Sequence, residues 1–289
     1  MSGDRAEASL LTDFSLEMTG KDVGHLTAAA PDVPAGTRVH LTYLEHEDLA
    51  TRVAAARACR ELGLTPVPHV SARRLTSQAD LERFLAGLAE VSAVERLFVI
   101  GGDPATPHGP YPDALSVLES GVLQRFGVRE AGIAGYPEGH PGIEPDTLWQ
   151  ALADKAALLA GTGMASTVVT QFGFDSDAVL EWVAQVRARG IDLPVRVGVP
   201  GPAGIRRLLR YAARLGVGTS AGIVRKYGFS ITNLMGTAGP DRFLRDLALR
   251  WDPARHGEVR IHFYSFGGVA ATVEWIADFT TRGTQEVRS

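Results

Sequence analysis

The chain has 289 residues, 45% of them hydrophobic, which is enough for one large core. A formal net charge of -4 provides no basic surface for nucleic acid or an anionic membrane. One cysteine excludes an intrachain disulfide, and helical spacing makes Cys59 a packing residue. No apolar run approaches the ~18 residues of a membrane helix, and the N-terminus lacks the pattern of a secretory signal. A cytoplasmic protein is therefore expected.

Short β-rich runs alternate with amphipathic helical stretches along the chain. Strands are predicted at residues 14–18, 39–44, 66–71, 96–100, 131–136, 167–172, 195–199 and 259–264. Several are continuous apolar runs, as expected for strands that are buried on both faces. Helical patterns lie between them, for example at residues 49–62, 78–91 and 177–189. Eight strands separated by helices predict an α/β protein, a single (β/α)8 TIM barrel domain over residues 1–289.

One segment departs from this alternation. Residues 216–250 contain no clear strand, and we expect extra helices there before the last strand. The competing architecture is a doubly wound open sheet. No Gly-x-Gly-x-x-Gly follows the first strand, where a dinucleotide-binding sheet would carry it, so the barrel is favoured.

Polar side chains follow the predicted strands at their C-terminal ends. Two segments are prominent, residues 136–141 (Tyr-Pro-Glu-Gly-His-Pro) and residues 170–175 (Thr-Gln-Phe-Gly-Phe-Asp). These ends converge at one mouth in a TIM barrel, where catalytic groups are built. Glu17 and Asp103 form a carboxylate pair at this mouth, one suited to donate a proton and the other to act as a fixed negative charge. The structural alternatives are a turn at Asp103 and a core histidine at His69.

Other chemistries lack their signatures. The eight histidines are scattered without His-x-His or His-Glu-x-x-His spacing, which predicts no metal site. No Gly-x-Ser-x-Gly elbow for a serine hydrolase is present. None of the three lysines ends a strand as a Schiff-base aldolase requires, although Lys21 lies close to the first.

Taken together, the strand-end segments resemble the methylenetetrahydrofolate reductase family. The resemblance covers residues 14–279, and its segments fall in the family's order. They are Ser15-Leu16-Glu17, Pro68-His69, Gly102-Asp103-Pro104, Tyr136-Pro137-Glu138-Gly139-His140-Pro141, Thr170-Gln171-Phe172-Gly173-Phe174-Asp175, Pro200-Gly201 and His262-Phe263-Tyr264. Each segment alone is a weak signal, and the seven in order identify the chain as a divergent member.

The resemblance implies an enzyme that binds FAD and uses NAD(P)H to reduce methylenetetrahydrofolate to 5-methyltetrahydrofolate. Glu17 would protonate the folate and open its five-membered ring, and Asp103 would stabilise positive charge on it. The implied folate-binding residues are Gln171, Phe172 and Tyr264. The implied cofactor-binding residues are Thr42, His69, Gly102, Asp103, Tyr136, His140 and Lys155. The family is generally oligomeric, so a homo-oligomer is expected, with no nucleic-acid or membrane partner.

The chain departs from the family pattern at cationic positions. The family usually has an Arg before its Gly-Asp turn, where this chain has Gly101, and an Arg after the Tyr of the last strand, where it has Gly267 and Gly268. Its first strand is followed by Met-Thr-Gly-Lys in place of the usual Phe-Phe-Pro-Pro. The spacing from Lys155 to Gln171 is longer than usual. Candidate substitutes for the missing cations are Arg73, Arg74, Arg225 and Lys226.

Three functions remain open at this point. The first is the flavin-dependent reductase, which the retained His69, Tyr136 and His140 favour. The second is a flavin-free reductase that passes hydride directly from a nicotinamide cofactor to a methylene-tetrahydropterin, which Gly101 favours. The third is a one-carbon-folate binding or lyase-type barrel without a redox role. Because binding alone does not need a ring-opening acid, Glu17 argues against the third.

Overall fold

A computed structural model describes Glu7 and residues 9–45, 47–215 and 237–286 of the chain. Eight strands form a closed barrel in the order β1-β8-β7-β6-β5-β4-β3-β2, and every neighbouring pair is parallel. The strands are β1 Ser15–Met18, β2 Arg38–Leu41, β3 Thr65–Ser71, β4 Arg96–Ile100, β5 Glu130–Gly135, β6 Ala165–Phe172, β7 Val195–Pro200 and β8 Val259–Tyr264. The predicted TIM barrel is confirmed, and each observed strand overlaps its predicted range.

Helices surround the barrel and cover its outer face. The α-helices are Val23–Ala29, Leu49–Glu61, Gln78–Glu90, Ala114–Glu119, Val122–Arg125, Pro145–Thr162, Ser176–Ala188, Ile205–Leu215, Asp241–Arg250, Pro253–His256 and Val269–Glu286. Short 3-10 turns lie at Gly20–Asp22, Ala30–Asp32 and Ala72–Arg74. Cys59 is fully buried in this layer, and burial raises the pKa of its thiol to about 12, which fits the predicted packing role. No helix in the described ranges is long and apolar enough to cross a membrane.

Side chains at the helix starts fix the loops above the strands. Their carboxylate or hydroxyl oxygens accept hydrogen bonds from backbone N–H groups in the first helical turn, which would otherwise have no partner. The capping residues are Asp48, Ser77, Asp113, Asp175 and Asp252. The Asp that ends the Thr-Gln-Phe-Gly-Phe-Asp segment is therefore a helix cap.

The connection between β7 and β8 contains several helices, of which Asp241–Arg250 lies in the stretch where extra helices were predicted. Ile205–Leu215, Asp241–Arg250 and Pro253–His256 lie between these strands. Two-residue strands at Ala203–Gly204 and Thr237–Ala238 pair antiparallel, and the latter falls where no strand was predicted. Strands of this length are too short to produce a sequence pattern. The part of the prediction on residues 216–236 lies outside the described residues.

The barrel interior changes character from its floor to its mouth. Arginine and glutamate side chains meet at the N-terminal ends of the strands, where Glu130 lies between Arg38 and Arg96. Above them, an apolar cluster is formed by Val67, Phe98 and Val169. Histidines pack against it, since the Phe98 ring meets the rings of His40 and His69. TIM barrels commonly fill this space with branched apolar residues, so the polar upper layer marks the candidate site.

Candidate functional site

Glu17 lies inside the barrel near its mouth. It pairs at the backbone with Tyr264 of β8 and His40 of β2, and its side chain is 17% exposed. Its Oε2 atom lies 3.6 Å from Nε2 of His262 and 3.8 Å from Nε2 of His69. Alternate residues of a strand face the same side, so the Ser15 and Glu17 side chains both point into the barrel. The carboxyl group is therefore held against two imidazoles.

Three buried histidines lie beneath this carboxyl group. The ring centroids of His40 and His262 are 4.5 Å apart, and those of His40 and His69 are 5.5 Å apart. Burial lowers the pKa of His69 to about 4, opposed by Glu17 and reinforced by His262 and Arg52. Burial also lowers the pKa of His40 well below its usual value, with further lowering by the other two histidines. His40 and His69 are consequently uncharged at neutral pH.

We expect the free energy of unfolding to decrease as the pH falls from 6.5 toward 4. The His69 pKa is about 4 in the folded protein against 6.5 for an unperturbed histidine, so the unfolded state binds the proton first. The contribution of neutral His69 to the free energy of unfolding is fully present above pH 6.5. It is lost as the pH falls toward the pKa of His69 in the folded protein, with about 2 kcal/mol lost by pH 5. Denaturant titrations across this range measure the slope. A His69→Gln variant should show a shallower slope, and an unchanged slope would contradict the assignment.

Tyr264 connects Glu17 to the other side of the mouth. Its hydroxyl donates to the carbonyl oxygen of Thr170 at 3.0 Å. The ring lies over Gly198, where an added Cβ would come within 2.8 Å of ring atom Cε2. Burial raises the pKa of Tyr264 well above its usual value, with further raising by Glu17 and Tyr136. Tyr264 therefore lies within electrostatic reach of both residues.

Tyr136, His140 and Asp103 form the other half of the mouth. The rings of Tyr136 and His140 meet edge to face with centroids 5.4 Å apart. Burial raises the pKa of Tyr136, and Asp103 raises it further. Burial lowers the pKa of His140, and Asp103 opposes this shift. Asp103 raises the pKa of both side chains, so the three predicted site residues, from the loops that follow β4 and β5, lie close together.

The turn after β4 depends on its glycines in different ways. Gly102 has φ of +93°, and an added Cβ would lie 2.1 Å from the hydroxyl oxygen of Ser71. Only glycine fits there, on both conformational and steric grounds. Gly101 has no atom within 4 Å of its Cβ position. The position where the family usually has an Arg is therefore open space.

Arg73 and Arg74, two of the candidate substitute cations, have different surroundings. Nε of Arg73 donates to the carbonyl oxygen of Pro112 at 2.7 Å, and a terminal nitrogen donates to Pro104 at 3.2 Å, so Arg73 fixes the β4 loop. Arg74 extends across the mouth between two carboxylates, 3.7 Å from Glu45 and 3.6 Å from Asp103. Arg225 and Lys226 lie outside the described residues.

A cavity of about 570 Å³ opens beside Asp103. Its lining residues are Glu45, Arg74, Asp103, Pro104, Ala105, Thr106, Pro107 and His108. Arg74 supplies positive charge to this surface, and its guanidinium also lies 5.3 Å from the centre of the Tyr43 ring. The predicted Asp103 is thus both at the mouth and on the wall of a cavity, with its side chain 74% exposed.

Two predicted residues occupy the backbone edges of the mouth. The N–H of Thr42 donates to the carbonyl oxygen of Met18 at 2.9 Å, which extends the pairing of β1 and β2. The side-chain oxygen of Gln171 accepts from the N–H of Phe172 at 3.0 Å. Phe172 is only 1% exposed, in an aromatic cluster with Phe174, Tyr264 and Phe266. Phe172 therefore packs against the Tyr264 ring.

Lys155 and Glu138 are engaged away from the residues around Glu17. Lys155 is buried on the helix Pro145–Thr162, where burial lowers its pKa and Asp113 opposes the shift. Its charged neighbour is thus a cap on the helix that follows β4. Glu138 accepts a hydrogen bond from the N–H of Phe174 at 2.9 Å and links the loops after β5 and β6.

Sequence reasoning missed several residues around Glu17. His40 and His262 complete the imidazole cluster, and Ser15 hydrogen-bonds His262 with 2.9 Å between Oγ and Nδ1. Arg52, stacked on Phe84, donates to the carbonyl oxygen of His69 at 2.7 Å and fixes the end of β3. Period-two alternation could have found two of them, since Ser15 alternates with Glu17 and His262 alternates with Tyr264. Within the described ranges, no group of three potential ligands is arranged to hold a metal ion.

The fold and this mouth define a (β/α)8 barrel protein with an ionisable site at the C-terminal ends of its strands. The chain belongs to the methylenetetrahydrofolate reductase family, whose sequence model matches residues 35–217, more than half of the chain. Methylenetetrahydrofolate reductase 2 of Saccharomyces cerevisiae is 33% identical over 133 residues, 43% of this chain and 20% of the yeast protein. The match thus spans about a fifth of that relative's length.

Solved structures show a similar fold. A protein from Clostridium thermocellum that binds two copies of 5-methyl-5,6,7,8-tetrahydrofolic acid has a TM-score of 0.62 and 11% identity, covering 98% of this chain and 100% of that chain. Dihydropteroate synthase (FolP) from Thermus thermophilus has a TM-score of 0.47 and 13% identity, covering 93% of each chain. At these identities the first likeness supports the barrel alone.

Proposed function

We propose that this protein reduces 5,10-methylenetetrahydrofolate to 5-methyltetrahydrofolate, with hydride supplied by NAD(P)H through FAD. Family membership supports the proposal. The Clostridium thermocellum protein, which binds 5-methyltetrahydrofolic acid on a similar barrel, is consistent with it. The observation that carries the proposal is the position of Glu17, a carboxyl group at the mouth with imidazole rings at 3.6 and 3.8 Å.

Glu17 would act as the general acid. Opening the five-membered ring of the folate requires a proton at a ring nitrogen, and a positioned carboxylic acid can deliver it. The ion-pair contacts of Glu17 in the described part of the chain are with histidines rather than with Lys or Arg. His69 is uncharged because burial lowers its pKa to about 4. Its ring therefore adds no positive charge that would hold Glu17 ionised.

Asp103 would stabilise the positive charge that ring opening creates. A fixed carboxylate favours a cationic intermediate over the neutral ground state, which accelerates the step that forms it. Arg74, 3.6 Å away, partly offsets this charge before substrate binds. Tyr264 lies beside Glu17 on the neighbouring strand, and Gln171 lies near the end of β6. Both residues would contact the pterin.

The residues at the mouth suit the uncharged ring system of a flavin. They offer less positive charge for the phosphate groups of FAD. The open position at Gly101 leaves the backbone accessible, and Arg74 is a cation on the adjoining cavity wall. The residues that would hold the cofactor are Thr42, His69, Gly102, Asp103, Tyr136 and His140. FAD, when bound, would carry hydride from NAD(P)H to the folate. Phosphate binding by Lys155 and assembly into a homo-oligomer stay predictions.

The absorption spectrum of the purified protein tests the cofactor. We expect flavin bands in the visible region, because the ring-bearing residues at the mouth are placed together. Denaturation should release the chromophore, which chromatography against an FAD standard identifies. A colourless protein that still oxidises NAD(P)H with methylenetetrahydrofolate would reject FAD and favour the second reading.

That second reading is the flavin-free reductase. Two observations favour it: Gly101 provides no side chain, and Arg74 already lies between two carboxylates. Both reduce the positive charge available for a dinucleotide diphosphate. In that case Glu17 and Asp103 keep the same roles, and NAD(P)H occupies the cavity beside Asp103.

Asp103→Asn is expected to slow folate reduction by about 10-fold, a modest effect for electrostatic stabilisation because this carboxylate is largely exposed to solvent. The lost negative charge should also raise the reduction potential of bound flavin. Stopped-flow kinetics with the folate and a redox titration measure the two effects. Glu45→Gln is the matched control, since it removes the other carboxylate beside Arg74. An unchanged folate rate in Asp103→Asn would remove Asp103 from the mechanism.

A further inference from the structure

A buried hydrogen bond lies behind Glu17 that the proposed function leaves unused. Ser15 and His262 are both fully buried, and their Oγ and Nδ1 atoms are 2.9 Å apart. The Ser15 hydroxyl also points at the carbonyl oxygen of Ile261, at 3.5 Å. The other ring nitrogen of His262, Nε2, is buried without a hydrogen-bond partner and faces Glu17.

The direction of the hydrogen bond between Ser15 and His262 depends on which ring nitrogen carries the proton. A serine hydroxyl has one proton to donate and two lone pairs to accept with. When it donates to the carbonyl oxygen of Ile261, it accepts from N–H at Nδ1 of His262. A neutral imidazole has one N–H, so Nε2 then presents a lone pair. This lone pair is 3.6 Å from Oε2 of Glu17.

A lone pair at that place suits a protonated carboxyl group. It can accept the O–H of Glu17, whereas an ionised carboxylate has no proton to donate to it. The distance exceeds that of a formed hydrogen bond, and catalytic contacts of this kind commonly shorten when substrate binds. His69 holds the other side of the carboxyl group, with its Nε2 at 3.8 Å.

We propose that His262, with its tautomer set by Ser15, is a positioning residue that holds Glu17 as a protonated acid aimed at the folate. The inference rests on the proposed function, because it assigns no substrate of its own. It adds that the proton donor is a unit of three residues, Ser15, His262 and Glu17, on the two adjacent strands β1 and β8.

Two substitutions of His262 separate its nitrogens. The amide of Asn reaches the position of Nδ1, and the longer amide of Gln reaches the position of Nε2. His262→Asn should keep the contact with Ser15 and lose the contact with Glu17, whereas His262→Gln should restore an acceptor for Glu17. We expect kcat for folate reduction to fall by about 100-fold in His262→Asn, the scale of a misplaced catalytic group, with KM unchanged. His262→Gln should retain most of the activity.

An infrared measurement on the protein without folate gives a second readout. The carbonyl stretch of the protonated Glu17 is assigned as the band that Glu17→Gln removes. We expect this band to shift to higher wavenumber in His262→Asn, because the carboxyl O–H loses the acceptor lone pair that faces it, and to stay near wild type in His262→Gln. Ser15→Ala should shift it in the same direction as His262→Asn. His40→Asn is the control, since the His40 ring packs against the His262 ring, whereas the side-chain ion-pair contacts of Glu17 in the described residues are with His69 and His262.

The outcomes separate the inference from the proposed function. If wild type fails to reduce methylenetetrahydrofolate, the proposed function fails, and the infrared shift still reports on the contact. Equal loss in His262→Asn and His262→Gln, with the band unmoved in both, would show that His262 only fills space. The inference is also overturned if His40→Asn shifts the band as much as His262→Asn does.

Discussion

A Glu17→Gln variant is expected to lose folate reduction while keeping its reaction with NAD(P)H. Opening the folate ring needs a proton donor, and hydride transfer from NAD(P)H to flavin does not. Gln keeps the size and polarity of the side chain and removes the acidic proton. Stopped-flow measurements should show flavin reduction near the wild-type rate and reoxidation by methylenetetrahydrofolate slowed by about 100-fold or more, the usual scale for a general acid.

The two half-reactions provide the control for this variant. If both slow together, Glu17 has a structural role. If neither slows, the acid lies elsewhere and Glu138 becomes the next candidate, although its carboxylate already accepts an N–H from Phe174. On the flavin-free reading the same substitution should abolish turnover while NAD(P)H binding, measured by its fluorescence, is retained.

Glu130→Gln is expected to have the opposite profile, with a large loss of stability and little change in kcat. Glu130 is 13% exposed at the barrel floor, paired with Arg38 and, at 3.1 Å, with Nε of Arg96. The neighbouring Arg196 forms an ion pair with Asp13. Burial lowers the pKa of Arg196, and repulsion by the like charge of Arg38 lowers it further. Removing the Glu130 carboxylate leaves Arg38 and Arg96 without the counter-charge that they share, a loss of about 3 kcal/mol.

Thermal and urea unfolding measure this loss. For a chain of this size it corresponds to a decrease in Tm of about 6–12 °C. Glu95→Gln is the matched control, because Glu95 also pairs with Arg96, at 3.7 Å, but is about half exposed. Its substitution should cost about 1 kcal/mol or less. Equal destabilisation by the two variants would show that burial of the Glu130 pair contributes nothing.

The two glutamates lie at opposite ends of the barrel. Glu17 is at the C-terminal ends of the strands, where loops and ligands meet, and Glu130 is at the N-terminal ends, where charged groups close the floor. This polarity is general to the fold. The same substitution, Glu to Gln, should therefore separate catalysis from stability in one molecule.

Strands and their order could be predicted because each is a short apolar run between helical patterns. The position of Glu17 followed from the end of the first run. The contacts that define the site could not be predicted, since His40, His69 and His262 are far apart in sequence and meet only through barrel closure. The difference between Arg73 and Arg74 depends on which carbonyl or carboxylate each side chain reaches, and neighbouring positions in the sequence carry no such information.

The empty space at Gly101 has an evolutionary consequence. An added Cβ there meets no atom within 4 Å, while its neighbour Gly102 is fixed by its backbone and by Ser71. A single codon change at Gly101 can therefore introduce a long cationic side chain at the mouth without disturbing the turn. Affinity for the proposed anionic cofactor is thus open to adjustment in one mutational step, separately from Glu17, the proposed acid.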